Sequence, residues 1–167
     1  PVYGMKCEDL DGDGNLDLLM VGNDFGMEPY SGRHDAFNGL CLKGDGKGNF
    51  SAMPAPTSGF FVKGDAKGLA TVWSAQNEEL LLVTQNQDSL LLFTRTSPTA
   101  PAAHAMPGAA HAPATPMLNL PIDLRPDDCC ADLFYANGRK KHLEFYYGST
   151  YLSQSSRKLS IDTDVMK

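Results

Sequence analysis

The chain has 167 residues, 42% of them hydrophobic and 20% charged. This suits one ordinary domain or two small ones and argues against wholesale disorder. A net charge of -6 argues against a nucleic-acid partner, and no apolar run approaches the ~20 residues needed to span a bilayer.

The chain opens at Pro1 without a signal peptide, as a fragment or processed product would, so it gives no direct address for the parent protein. Residues 1–97 are rich in Gly, Asp and Asn between short apolar runs. Five runs, at 16–21 ("LDLLMV"), 39–42 ("GLCL"), 69–73 ("LATVW"), 80–84 ("LLLVT") and 90–94 ("LLLFT"), have the length of buried strands and are too short for helices. Turn-formers such as "GDGKGN" and "QNQDS" separate them. One pattern is passed through twice. An acidic loop leads to "LDLLMVGND" and "NGLCLKGDGKGNF"; then "FFVKGDAKGLATVW" leads to "EELLLVTQNQDSLLLFT". The offset of roughly 50 residues lies in the range of propeller blades and other repeats.

Residues 98–116 are nearly all Ala, Pro, Ser, Thr, Gly and His and read as a linker, with His104 and His111 as solvated side chains rather than metal ligands. Residues 117–167 predict a small β module. Its hairpin has strands at 131–135 and 142–147 around Asn137-Gly138, a pair that tolerates positive φ at both turn positions. A further strand or two follows, with Leu159 and Ile161 on one side.

The chemistry concentrates at "DLDGDGNLD", residues 9–17. Unpaired, four carboxylates this close repel one another, and a hard cation removes the difficulty. Calcium takes ~6–8 oxygen ligands on a tightly turning backbone. Asp9, Asp11, Asp13 and Asp17 supply carboxylates, Asn15 a main-chain carbonyl, and Gly12 and Gly14 permit the curl. An EF-hand would need a Glu at the twelfth loop position, which here is Met20, and helices on both sides. Asp45 and Asp65 stand as single acids beside lysines and predict metal-free loops.

Other sites are weaker. Cys7, Cys41, Cys129 and Cys130 show no zinc-ligand spacing; the adjacent pair could bond only through a strained ring, and all four read as free, semi-buried thiols. His142, Glu144 and serines 149, 153, 155 and 156 suggest a hydrolase triad, but there is no nucleophile elbow, and an exposed strand face describes them more simply. Trp73 reads as packing. Tyr146 and Tyr147, as strand neighbours, are expected to face opposite ways.

"DLDGDGNLDLLMVGND" resembles the calcium loop of FG-GAP or VCBS repeats, the blades of integrin-α-type β-propellers, and "LKGDGKGNF" resembles the later turn and outer strand of that repeat. The resemblance implies calcium ligation by Asp9, Asp11, Asp13, Asn15 (carbonyl) and Asp17. Beyond the linker, "EFYYGSTYLSQSSRKLSI" resembles the core of the ASPIC/UnbV module, without that module's glycine-rich ending. Together these imply an extracellular, periplasmic or outer-surface protein.

The expectation is an all-β chain: β-propeller-type blades with one calcium loop, then a small C-terminal β module. Two blades do not close a ring of ~4–8, so further blades are expected in the parent chain or another subunit. The expected role is a non-enzymatic interaction or scaffold module with a protein or glycan ligand. The alternatives are an accessory recognition subunit of a surface glycan- or protein-processing assembly, and part of an enzyme whose catalytic residues lie outside this chain.

Overall fold

The computed structural model describes residues 1–95, 120–148 and 153–161. The expected linker, with His104 and His111, lies outside the described residues, as do Ser149 and Tyr151.

The described chain is all-β. β1 (Val2–Glu8), β2 (Asp17–Gly22), β3 (Leu40–Gly44) and β4 (Phe50–Met53) form a four-stranded antiparallel meander. After α1, the single turn Ala55–Ser58, a second meander holds β5 (Ala66–Trp73), β6 (Glu79–Gln85) and β7 (Leu91–Thr94). Among the described residues the sheets close neither a barrel nor a propeller ring.

All five predicted runs are strands; the largest shift is in β5, which starts at Ala66 rather than Leu69. Sequence reasoning missed β1, and reached β4 only through the resemblance of "LKGDGKGNF" to a turn and outer strand. β1 mixes Gly4 with charged Lys6 and Glu8, and β4 is largely exposed, so neither carries an apolar run.

"LATVW" belongs to β5, the first strand of its meander, and so corresponds to β1 rather than to "LDLLMV" in β2. Both first strands are bulged at the same place, between Val2 and Gly4 and between Ala66 and Gly68. The connection equivalent to the acidic loop is therefore 74–78, not "KGDAKG". There the Ser74 hydroxyl, in place of several carboxylates, accepts the N–H groups of Gln76 and Glu78 at 3.2 and 3.1 Å.

β5 packs across β1 and β2. Strand alternation sends Asp17, Leu19 and Val21 of β2 to one buried face, where the two apolar residues join Cys41, Phe60, Val62, Ala66, Leu69 and Val83 in one core. The approach is close. A Cβ at Gly4 would lie 2.7 Å from Leu69 Cβ and 2.8 Å from Val21 Cγ2, so glycine is what lets the two first strands meet.

In the C-terminal part, β9 (Cys130–Phe134) pairs with β10 (Lys140–Glu144), and β8 (Leu120–Asp123) with β11 (Lys158–Ile161). The hairpin differs from a two-residue type I′ turn. Gly138 alone has positive φ, at 81°; Tyr135 accepts the Gly138 N–H at 3.0 Å and donates its own to Arg139 O at 2.9 Å. This three-residue loop with a left-handed glycine asks less of Asn137, whose Oδ1 accepts the Arg139 N–H instead. Tyr146 and Tyr147 follow β10 rather than belonging to it, and both are exposed.

The C-terminal part touches both meanders. Thr71 on β5 donates its N–H to Ser155 Oγ (3.0 Å) and accepts that of Ser156 (2.6 Å), so residues 155–156 occupy part of the β5 edge. Ser155 is thereby tied to the sheet edge, a structural use for one of the serines considered for a triad.

Candidate metal centre

The acidic residues lie in the β1–β2 connection and at the first residue of β2. Each carboxylate of the loop first organises backbone. Asp9 accepts the N–H groups of Gly12 and Gly14 at 2.7 and 2.8 Å, Asp11 that of Asp13 at 3.2 Å, and Asp13 that of Asn15 at 2.8 Å. Gly12 and Gly14 have φ of 80° and 87°, left-handed conformations that side chains disfavour. Their curl turns the chain back so that Asp9, Asp11 and Asp17 come together.

Asp17 has a second task. It is 1% exposed, because it continues the buried row of Leu19 and Val21. Its Oδ2 accepts the Leu10 N–H and its Oδ1 the Gly44 N–H, both at 2.9 Å. One carboxylate thus ties the loop to the end of β3.

Carboxylate oxygens of Asp9, Asp11 and Asp17 all lie within 4.8 Å of one another. Calcium–oxygen distances of ~2.3–2.6 Å allow two ligands of one ion to be at most ~5 Å apart. The oxygens that accept one N–H retain a further lone pair each. In donor type and spacing, these three residues fit a hard divalent cation.

Asp13 and Asn15 stand differently. Asp13 lies outside this trio, with its Oδ2 3.1 Å from the Lys43 ammonium, which also contacts Asp11 Oδ2. The Asn15 side chain packs on Gly46, where there is no room for a Cβ. Lys43, on β3 opposite the loop, is the site residue that sequence reasoning left out; its only signal was one of two lysines flanking Asp45 in a turn-rich stretch. Its hydrogen bonds to Asp11 and Asp13 hold its pKa far above the ordinary ammonium range. The Asn15 N–H holds Asp13 below the usual carboxylate range; burial opposes it, and the Lys43 ammonium adds to the lowering. Lys43 thus pairs with two of the four carboxylates, Asp11 and Asp13. Arg139 of the hairpin turn lies against Gly14 and stacks on Tyr135 at 4.5 Å.

A second polar cluster lies between the meanders. Asp65, 1% exposed, places Oδ1 2.7 Å from Lys67 Nζ. Lys67 also donates to Asn23 O at 3.1 Å, approaches Asp24 at 3.6 Å and sits 4.0 Å above the Tyr3 ring, whose hydroxyl donates to Asp24 at 2.8 Å. Buried Asn23, at φ 90°, donates to the carbonyls of Phe37 and Gly64 at 2.6 and 3.0 Å and accepts the Phe37 N–H at 3.0 Å.

Of the residues read as an exposed strand face, His142 and Glu144 are exposed, whereas Ser153, Ser155 and Ser156 are half-buried; His142 Nδ1 pairs with Asp132 Oδ1 at 2.6 Å. The four cysteines are free thiols; Cys41 is buried, while Cys7, Cys129 and Cys130 are exposed rather than semi-buried. No helix among the described residues is long and apolar enough to cross a membrane. Against known proteins, no family model, no curated protein and no solved structure matches this chain.

Proposed function

We propose that this chain is a calcium-binding, non-enzymatic interaction or scaffold module whose two meanders are propeller blades of the FG-GAP/VCBS type, followed by an ASPIC/UnbV-like module. Further blades, in the parent chain or another subunit, complete the ring. Its setting is extracellular, periplasmic or outer-surface, and its ligand is a protein or glycan. The observation that carries this reading is the convergence of Asp9, Asp11 and Asp17 within 4.8 Å on a glycine-turned loop between two strands. A calcium ion there offsets carboxylate repulsion and fixes the loop to β2 and β3, with the Asn15 carbonyl and Asp13 completing its shell once Lys43 is displaced. The role of the ion is structural: ligation occupies the carboxylate lone pairs and disfavours proton transfer by them.

Calorimetric titration of the reduced chain with calcium tests it. The expected result is saturable binding of one ion, lost in Asp9→Ala and Asp11→Ala. Absence of saturable binding in the folded wild-type chain overturns the reading.

A further inference from the structure

The exposed face of the β9–β10 hairpin carries a second set of donors, of a different chemical kind. Cys129 Sγ and Cys130 Sγ lie 3.9 Å apart, both exposed. Two thiolates ~2.3 Å from one tetrahedral zinc ion are ~3.8 Å apart. Cys130 stands directly opposite Glu144 in the antiparallel register, and the next outward-facing pair is Asp132 with His142. Asp132 Oδ1 holds His142 Nδ1 at 2.6 Å, and His142 Nε2 lies 3.9 Å from Glu144 Oε1. A carboxylate on one ring nitrogen of a histidine is the usual support of a metal-ligating imidazole, because it fixes the tautomer that leaves the other nitrogen free.

We propose that Cys129, Cys130, Glu144 and His142 form a site for a thiophilic divalent cation of the zinc class, with Asp132 as a positioning residue. The thiol pair and the His–Glu pair each stand near ligand-to-ligand spacing and are joined by the cross-strand neighbours Cys130 and Glu144, while no three of the four donors lie within 4.8 Å of one another in the metal-free chain. Binding draws the two pairs together and releases both thiol protons to solvent. This donor set differs from the all-oxygen acidic loop, so the two sites select different ions, and this inference does not depend on the calcium reading.

The test uses cobalt(II) as a spectroscopic stand-in for zinc, added to the full chain under a non-thiol reductant. One equivalent should give sulfur-to-cobalt charge-transfer absorption with tetrahedral ligand-field bands, and zinc should displace it. Cys129→Ser and Cys130→Ser should each diminish that absorption and the double variant abolish it. His142→Ala and Glu144→Gln should weaken binding at least tenfold, and Asp132→Asn by ~10–100-fold. Asp11→Ala should leave it unchanged. As a check independent of variant folding, zinc should protect Cys129 and Cys130 of the wild type from alkylation while leaving Cys7 reactive. Absence of charge transfer, its persistence in the double cysteine variant, unchanged binding in both His142→Ala and Glu144→Gln, or no protection by zinc overturns the proposal.

Discussion

The acidic loop and the Lys67 cluster solve one electrostatic problem in opposite ways. In the cluster, buried Asp65 and half-buried Asp24 share Lys67, whose ammonium also reaches a carbonyl and an aromatic face. Its charge is matched from within the chain. In the loop, Lys43 pairs with Asp11 and Asp13 and the Arg139 guanidinium lies against Gly14, so four carboxylates outnumber the cations beside them and leave an excess of negative charge at the surface. Local charge balance, more than carboxylate count, thus distinguishes an internally satisfied cluster from a place that gains by taking up a cation.

The sharpest probe of this contrast lies within the loop itself, because Asp17 belongs to both worlds. Asp17→Ala removes a buried acceptor from two N–H groups, and hydrogen bonds to a charged group contribute ~1.5–3 kcal/mol each. A loss of ~3–5 kcal/mol in denaturant-unfolding free energy is expected in chelator. Asp11→Ala, at an exposed position, should cost far less. Equal losses for the two variants would show that burial does not set Asp17 apart.

Next in size is calcium itself. A ligand that binds only the folded state adds ~2.7 kcal/mol at a concentration 100 times its dissociation constant. Thermal melts should rise by several degrees with calcium in the wild type and fall back on chelation. Asp11→Ala should abolish that response. Asp65→Asn is the counterpart: it should lower stability by ~2 kcal/mol, since Lys67 keeps Asp24 and the Asn23 carbonyl, yet leave the calcium response intact. A calcium response lost in Asp65→Asn would merge the two regions into one site.

Much of this was legible in the chain. The apolar runs at 16–21, 39–42, 69–73, 80–84 and 90–94 are all strands because each has at least one face wholly or partly buried, and burial writes itself as hydrophobicity. β1 was not legible. Its one buried position is a glycine, chosen for close approach to Leu69 rather than for apolarity. The aspartates announced themselves by spacing, but the division of labour among them did not. That depends on strand phase, which puts Asp17 inward beside Leu19, and on Lys43, brought to Asp11 and Asp13 through the β2–β3 pairing. The Asp132–His142 pair and its neighbours required the exact register of a hairpin whose turn is longer than Asn-Gly alone suggested.

A smaller effect separates the two lysines. Lys43→Met removes the internal competitor from Asp11 and Asp13, so calcium affinity should rise several-fold in titration. Lys67→Met should leave that affinity within twofold. A fall in affinity for Lys43→Met would mean that the lysine shapes the loop for the ion rather than competing with it.

The smallest expected effect is in the pH dependence, where the causes of the shifts differ between the regions. Asp13 and Asp24 are both held below the carboxylate range. Each therefore adds stability that is present above the unfolded value of ~3.9 and is lost as pH falls through the lower folded value. For Asp13 the main cause is the Asn15 N–H, with Lys43 behind it; for Asp24 it is the Tyr3 hydroxyl, then the Gly26 N–H. Lys43 is raised by its bonds to Asp11 and Asp13, so its contribution is present below ~10.4 and is lost as pH rises through the folded value. Stability of Lys43→Met measured against pH in chelator should accordingly lose this part of the alkaline limb while keeping most of the acid limb, since a backbone donor maintains Asp13. Tyr3→Phe should do the reverse on the acid side and weaken the fall below pH ~4, because there a side chain is the principal donor. If Lys43→Met flattens the acid limb as strongly as Tyr3→Phe, Asp13 is held by charge rather than by backbone, and the contrast between the two regions loses its basis.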